Sequence, residues 1–200
     1  MEFNNHTPVN KRWNVAEPIP PEIDQELTDF PPLLRQLLYN RGVRDAESAQ
    51  AFVEANSPGA TDPFLIRDMT EAVELLHAAI TNGTPIAIYG DYDVDGVTST
   101  ALLYELLQKL GVSPRIYIPN RFDEGYGLNM DAVEQLAHEG IGLIITVDCG
   151  IRSVEEIALA RRLGMHVILT DHHQPGEVLP PADAILNVHR AGDAYPFKDL

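Results

Sequence analysis

Between Asp68 and Leu186 the chain repeats one pattern: a helical stretch of 9–15 residues, a glycine, then a short apolar run. The spacing predicts helices over 68–82, 98–110, 130–138 and 153–163, closed by Gly83, Gly111, Gly140 and Gly164. Met69, Val73, Leu76 and Ile80 of the first would face inward, and Leu102, Leu103, Leu106, Leu107 and Leu110 of the second recur at helical spacing. The second is expected to be capped near Thr98 or Ser99. The apolar runs 85–89, 115–118, 142–147, 166–169 and 184–186 read as strands. Strands alternating with helices imply right-handed βαβ units. The expected fold class is therefore α/β, a mostly parallel sheet with helices on both faces.

A small helical appendage precedes it. Residues 1–30 carry Pro18, Pro20 and Pro21 with little periodicity and read as an extended arm. PPLLRQLLYN (31–40) predicts a helix with Leu33, Leu34, Leu37 and Leu38 on one face, and 45–54 a second with Ala46, Ala49, Phe52 and Val53. The turn formers NSPGATDP (56–63) mark the boundary, giving a leader over 1–62 and the α/β portion over 63–200.

Three polar clusters each follow a strand directly: Asp91-Tyr92-Asp93-Val94-Asp95-Gly96, Asp148-Cys149-Gly150 and Asp171-His172-His173. In an open parallel sheet the carboxyl ends of the strands share one edge, where ligands bind. Up to five carboxylates and two imidazoles would meet in one crevice. If the first cluster is extended, Asp91, Asp93 and Asp95 share a face. Crowded carboxylates repel and raise one another's pKa values, a problem a divalent cation removes. Oxygen-rich sites with imidazole suit Mn²⁺ or Mg²⁺, whereas zinc would favour thiolates. Asp148, from a central strand, is placed to bridge two ions about 3.5–4 Å apart, the arrangement that clamps both oxygens of a displacement at phosphorus. Adjacent His172 and His173 would point apart, one to metal and one to substrate.

Each cluster has a plainer reading. An aspartate at a strand end often only caps the next helix, a histidine is usually structural, and an acidic run can be a solvated loop. Cys149 lacks a positive activator and reads as a small residue in a tight turn rather than a nucleophile. As the single cysteine it makes no internal disulfide, so a reducing cytoplasm is expected. No apolar run reaches the roughly 18 residues of a membrane span, and no membrane contact is expected. The net charge of −16, with no basic run beyond Arg161-Arg162, argues against a polyanion unless cations neutralise the cluster or a basic surface lies elsewhere.

GDYDVDG (90–96), VDCG (147–150) and TDHH (170–173) resemble the first three motifs of the DHH phosphoesterases. YGDYDVDGVTSTALL (89–103), PNRFDEGYGLN (119–129), LLYNRGVRDAESAQAFV (37–53), DPFLIRDM (62–69) and YPFKDL (195–200) are similar to that family's single-strand-specific DNA exonucleases. The resemblance implies a two-ion Mn²⁺ or Mg²⁺ enzyme removing nucleotides from the 5′ end of single-stranded DNA in recombination and repair. It implies Asp93 and Asp95 as ligands of the two ions, Asp148 as the bridge, and His172 as a further ligand. His173 would meet the scissile phosphate and Asp171 would orient the histidines, while Asp91 lies within the motif. Arg121, Gly125, Tyr126 and Gly127, on the loop after the second strand, are expected to face substrate. The family's fourth aspartate motif and oligonucleotide-binding fold are expected beyond residue 200, which would make this the incomplete front of the domain, weak or inactive alone.

Other readings remain open. DVDGVTST also resembles the haloacid-dehalogenase phosphatases, in which Asp93 would be a covalent nucleophile. Within the DHH superfamily, a pyrophosphatase, a phosphodiesterase of short substrates or a catalytically decayed replication scaffold would share the fold.

Overall fold

The computed structural model describes residues 14–55, 61–120, 122 and 125–198. The chain divides into two compact units between Thr61 and Asp62.

Among its described residues the first unit holds three helices, α1 (Pro21–Glu26), α2 (Pro32–Asn40) and α3 (Ala46–Val53). The expected extended arm through residue 30 is wrong over α1. Pro21 sits at the helix start, where its fixed φ is already helical, and Glu22 and Asp24 complement the positive end of the peptide dipoles. So short a helix shows no period. The Arg35 guanidinium organises the segment, donating to Phe30 O (2.6 Å), Thr28 O (3.1 Å) and Asp24 Oδ2 (3.2 Å). Asp45 caps α3 by accepting from Ser48 N–H at 2.8 Å. Leu27, Leu38 and Ala49 form the small core, leaving Leu33, Leu37, Phe52 and Val53 of the expected apolar faces exposed.

The second unit is a five-stranded parallel sheet in the order β2-β1-β3-β4-β5, formed by β1 (Ile86–Tyr89), β2 (Arg115–Tyr117), β3 (Leu143–Val147), β4 (His166–Thr170) and β5 (Ala184–Leu186). Strand alternation sorts residues cleanly to its faces. Ile86, Ile88, Leu143, Ile145, Val147 and Ile168 pack with Ala72 and Ala79 of α4 (Met69–Thr81) and Leu107 of α5 (Val94–Lys109). Ala87, Tyr89, Ile144, Val167 and Leu169 pack with α6 (Met130–His138) and α7 (Val154–Arg162) on the other side. Both faces are covered, so the central strands are mostly apolar, with Thr146 a buried exception.

Two expectations about the helices fail. Helix α5 begins at Val94, four residues early, because the Asp93 carboxylate caps it by accepting Gly96 N–H at 3.0 Å. The acidic run is thus not extended beyond Asp93, and the shared face of Asp91, Asp93 and Asp95 does not form. The leucine stripe of α5 is also wider than the surface it covers. Leu107 is buried while Leu102 is 74% exposed, and Leu106, Leu110 and Val73 of α4 are also exposed. Val73, Leu102 and Leu106 border an apolar groove of about 580 Å³ between α4 and α5 over Ile145, Val147 and Ile168. No helix among the described residues is long and apolar enough to cross a membrane.

Candidate metal centre

Strands β1, β3 and β4 end side by side, and each is followed by one of the acidic clusters. Asp91 leaves β1 as a buried residue, 2% exposed, because the first turn of α5 lies directly over it. A Cβ on Gly96 would stand 2.5 Å from Asp91 O, so only glycine lets the two segments approach this closely. The Asp91 Oδ1 is buried and has no hydrogen-bond donor. Asp93, more exposed, is held below its ordinary carboxylate value by the Gly96 N–H it accepts.

Asp148 follows β3 in the left-handed region, φ +62, which side-chain-bearing residues rarely adopt. The backbone is held there on both sides. Asp148 N–H donates to Thr170 O at 3.0 Å, and Thr170 Oγ1 donates to Thr146 O at 2.7 Å, locking the ends of β3 and β4 together. This turn aims Asp148 along the sheet edge. Burial pushes its carboxyl up to about 6, assisted by the nearby negative charge of Asp93 and opposed by His172 and His173. Asp93 moves down because it accepts the Gly96 N–H, and Asp148 moves up chiefly because it is desolvated. Asp148 Oδ1 lies 3.0 Å from His172 Nε2, while Oδ2 is buried without a hydrogen-bond donor.

Asp171, after β4, is fully engaged. Its Oδ1 accepts from His173 N–H (3.0 Å) and lies 2.7 Å from His173 Nδ1, and its Oδ2 accepts from Ile151 N–H (2.9 Å). It orients His173 directly. His172 and His173 lie with ring centroids 4.6 Å apart.

Two groups of possible ligand atoms result, each gathered within 4.8 Å: Asp91, Asp93 and Asp148, and Asp148 with His172 and His173. Asp148 belongs to both. Asp95 is outside these groups, in the exposed first turn of α5, but lines the same cleft as Asp148 and His172. Buried carboxylate oxygens without donors are rare, because each forfeits its hydration for nothing. Those of Asp91 and Asp148, beside neutralisable imidazoles and no thiolate, fit hard divalent cations. Cys149 is buried, its thiol pushed up by burial, and its Sγ faces Tyr89 O at 3.7 Å, which matches a small turn residue and not a nucleophile.

Of the residues expected to face substrate, Arg121 lies outside the described residues. Gly125 and Gly127 flank Tyr126 in left-handed conformations, and the Tyr126 hydroxyl reaches His173. Burial and the surrounding carboxylates hold that hydroxyl far above the usual tyrosine range, so it remains protonated. A cleft of about 500 Å³ opens beside the pair, lined among others by Arg152, Ser153 and Gln174.

Sequence reasoning missed Asn187. Buried after β5, it donates to His173 O at 2.9 Å and accepts from His189 N–H at 2.8 Å, while Leu186 O accepts from Asp171 N–H at 3.1 Å. A fourth strand end thereby supports the His173 loop. The rule that polar residues gather at the carboxyl ends of strands already pointed to this position.

A parallel sheet that brings these three motifs to one edge places the chain in a class, and the chain belongs to the DHH family: residues 85–194 match its N-terminal domain. The haloacid-dehalogenase alternative is thereby set aside. Within the family the chain is 44% identical over 191 residues to the single-stranded-DNA-specific exonuclease RecJ of Bacillus subtilis (strain 168), covering 94% of this chain and 24% of that protein. A crystal structure of exonuclease RecJ bound to manganese matches with TM-score 0.62 at 37% identity, over 68% of this chain and 35% of that one. RecJ in complex with Mn²⁺ from Thermus thermophilus gives TM-score 0.61 at 31% identity, over 86% and 24%. The chain spans about a quarter of the length of the curated relatives it matches.

Proposed function

We propose that this chain carries the cation-binding part of an enzyme that hydrolyses phosphodiester bonds of single-stranded DNA from the 5′ end, in recombination and repair. The observation that carries the reading is the pair of donorless buried oxygens, Asp91 Oδ1 and Asp148 Oδ2, in a cluster that Asp148 shares with both histidines. The likeness to RecJ supports the substrate class.

Asp91, Asp93, Asp148 and His172 would hold two ions, Mn²⁺ or Mg²⁺, with Asp95 closing the cleft side and Asp148 between them. Bound there, such a pair supplies a Lewis acid for the phosphoryl oxygens and lowers the pKa of water. The chain's own residues do the rest. Asp171 accepts from His173 Nδ1–H, fixing the tautomer and presenting Nε2 to the scissile phosphate. The acidic rim becomes tolerable to a phosphodiester only once cations neutralise it. A catalytically decayed scaffold would be expected to have lost acidic ligands, yet all positions of the three motifs are filled. A reducing, cytoplasmic setting, consistent with the one buried thiol, belongs to the same proposal.

The test is Mn²⁺-dependent release of label from 5′-labelled single-stranded and duplex DNA by the chain. The rate is expected to be low, since a net charge of −16 leaves little to hold a polyanion. Release from the single strand, absent with duplex and abolished by Asp148→Asn, is the predicted result. Equal release from both substrates, or activity surviving the substitution, overturns the reading.

A further inference from the structure

Tyr126 is about half exposed, so its position is not explained by core packing. The loop that carries it is nevertheless anchored. Gly125 and Gly127 take φ +81 and +84 and bend the backbone on either side of Tyr126. The next carbonyl, Gly127 O, accepts from the buried Tyr89 hydroxyl of β1 at 3.2 Å, and Asn129 Nδ2 donates to that hydroxyl at 3.3 Å. Asn129 also caps α6, accepting Ala132 N–H at 2.7 Å. A strand, a loop and a helix start thus converge to hold one half-exposed ring.

What that ring meets is His173. The hydroxyl oxygen lies 3.1 Å from Nδ1 and 3.5 Å from Nε2, and the rings stand edge to face, 73° apart with centroids at 5.7 Å. The carboxylate oxygen of Asp171, 2.7 Å from the same Nδ1, can only accept, so Nδ1 carries the proton. The Tyr126 oxygen, within 3.1 and 3.5 Å of the two ring nitrogens, lies off the Nδ1–H axis and abuts the side of the imidazole, and the Nε2 lone pair is left as the free donor atom of the ring. Asp171 restrains the imidazole from one side, and Tyr126 closes the other.

We propose that Tyr126 is a positioning residue: its hydroxyl holds the His173 ring against Asp171 and so sets where Nε2 points. The inference rests on the proposed nuclease reading for its kinetic consequence, but its structural part stands apart from it. It also replaces the simpler expectation that Tyr126 only contacts the DNA. Groups that orient a ligand or reacting imidazole typically change metal affinity or rate by about 10–100-fold when removed, and a single hydroxyl abutting the ring belongs at the lower end.

The experiment compares the full chain with Tyr126→Phe, which deletes one oxygen and keeps the ring. In long-range ¹H–¹⁵N spectra, His173 of the unsubstituted chain should show a protonated Nδ1, and that resonance should move in Tyr126→Phe while the thermal midpoint stays in place. With Mn²⁺ and a single-stranded oligonucleotide, kcat should fall about tenfold and KM should change less than twofold. Tyr89→Phe, which frees the Gly127 carbonyl, should shift the same resonance less. An unmoved His173 resonance overturns the proposal, as does a rise in KM at constant kcat, which would return Tyr126 to direct DNA contact. If the unsubstituted chain binds no Mn²⁺, the nuclease reading fails, and the His173 resonance still decides the role of Tyr126.

Discussion

A carboxylate that must bind a cation needs to be ionised, yet Asp148 sits where ionisation is hardest. It is 8% exposed, next to Asp93, and its carboxyl is pushed up to about 6. A folded-state pKa above the unfolded value contributes stability that is present below that value, 3.8 here, and is lost as pH rises through about 6. The metal-free chain should therefore lose the Asp148 contribution over that window, and a bound cation should return it. The rise in thermal midpoint on adding Mn²⁺ is expected to be larger at about pH 7 than at about pH 5, where the proton competes. A shift independent of pH would show that Asp148 is not at the cation site. At this scale the sequence was informative about which residues gather at the sheet edge, since chemistry and position after a strand pick out Asp91, Asp93, Asp148, His172 and His173. It was silent on their contacts. That Asp171 binds Ile151 N–H, or that Asp148 occupies a left-handed turn, depends on neighbours distant in the chain.

Helix α5 illustrates what a pattern can and cannot give. Its leucines have helical spacing, and a helix forms, but spacing does not say which of them the sheet reaches. Leu107 is fully buried and Leu102 is largely exposed. Leu107→Ala should destabilise the chain by about 2–5 kcal/mol, and Leu102→Ala by under about 0.5 kcal/mol, as read from urea unfolding. Comparable costs would contradict the described packing. The helix start was misplaced for a physical reason as well. Thr98 and Ser99 are good caps by type, but Asp93 reaches Gly96 N–H first and makes one side chain both cap and candidate ligand. Gly96→Ala should fold poorly or shift Asp91, since the added Cβ meets the Asp91 backbone. The expected cost is about 1–3 kcal/mol, together with weakened Mn²⁺ binding. A variant as stable as the parent, with Mn²⁺ affinity unchanged, would show that the close approach is not required.

For the whole molecule, the alternation of helix and apolar strand made the parallel sheet legible, and strand ends then implied one acidic edge. The order β2-β1-β3-β4-β5 puts β1 and β3 side by side at the switch in chain direction, where crevices open in such sheets. Asp91 and Asp93 arrive from one of those strands and Asp148 from the other. The helix α1 was not legible, because its stability comes from Arg35 and Leu27 and not from a period of its own. The negative charge that argues against a polyanion on composition is partly concentrated at this edge, where cations can offset it.

The central claim is that separate strand ends jointly hold divalent cations, and the most direct test is calorimetric titration of the metal-free chain with Mn²⁺. Saturable binding approaching two ions per chain is predicted, lost on Asp148→Asn. It should be retained in Glu139→Gln, whose carboxylate only pairs with Arg115 and Gln135. Absence of saturable binding, or equal binding by the Asp148→Asn chain, would contradict the account.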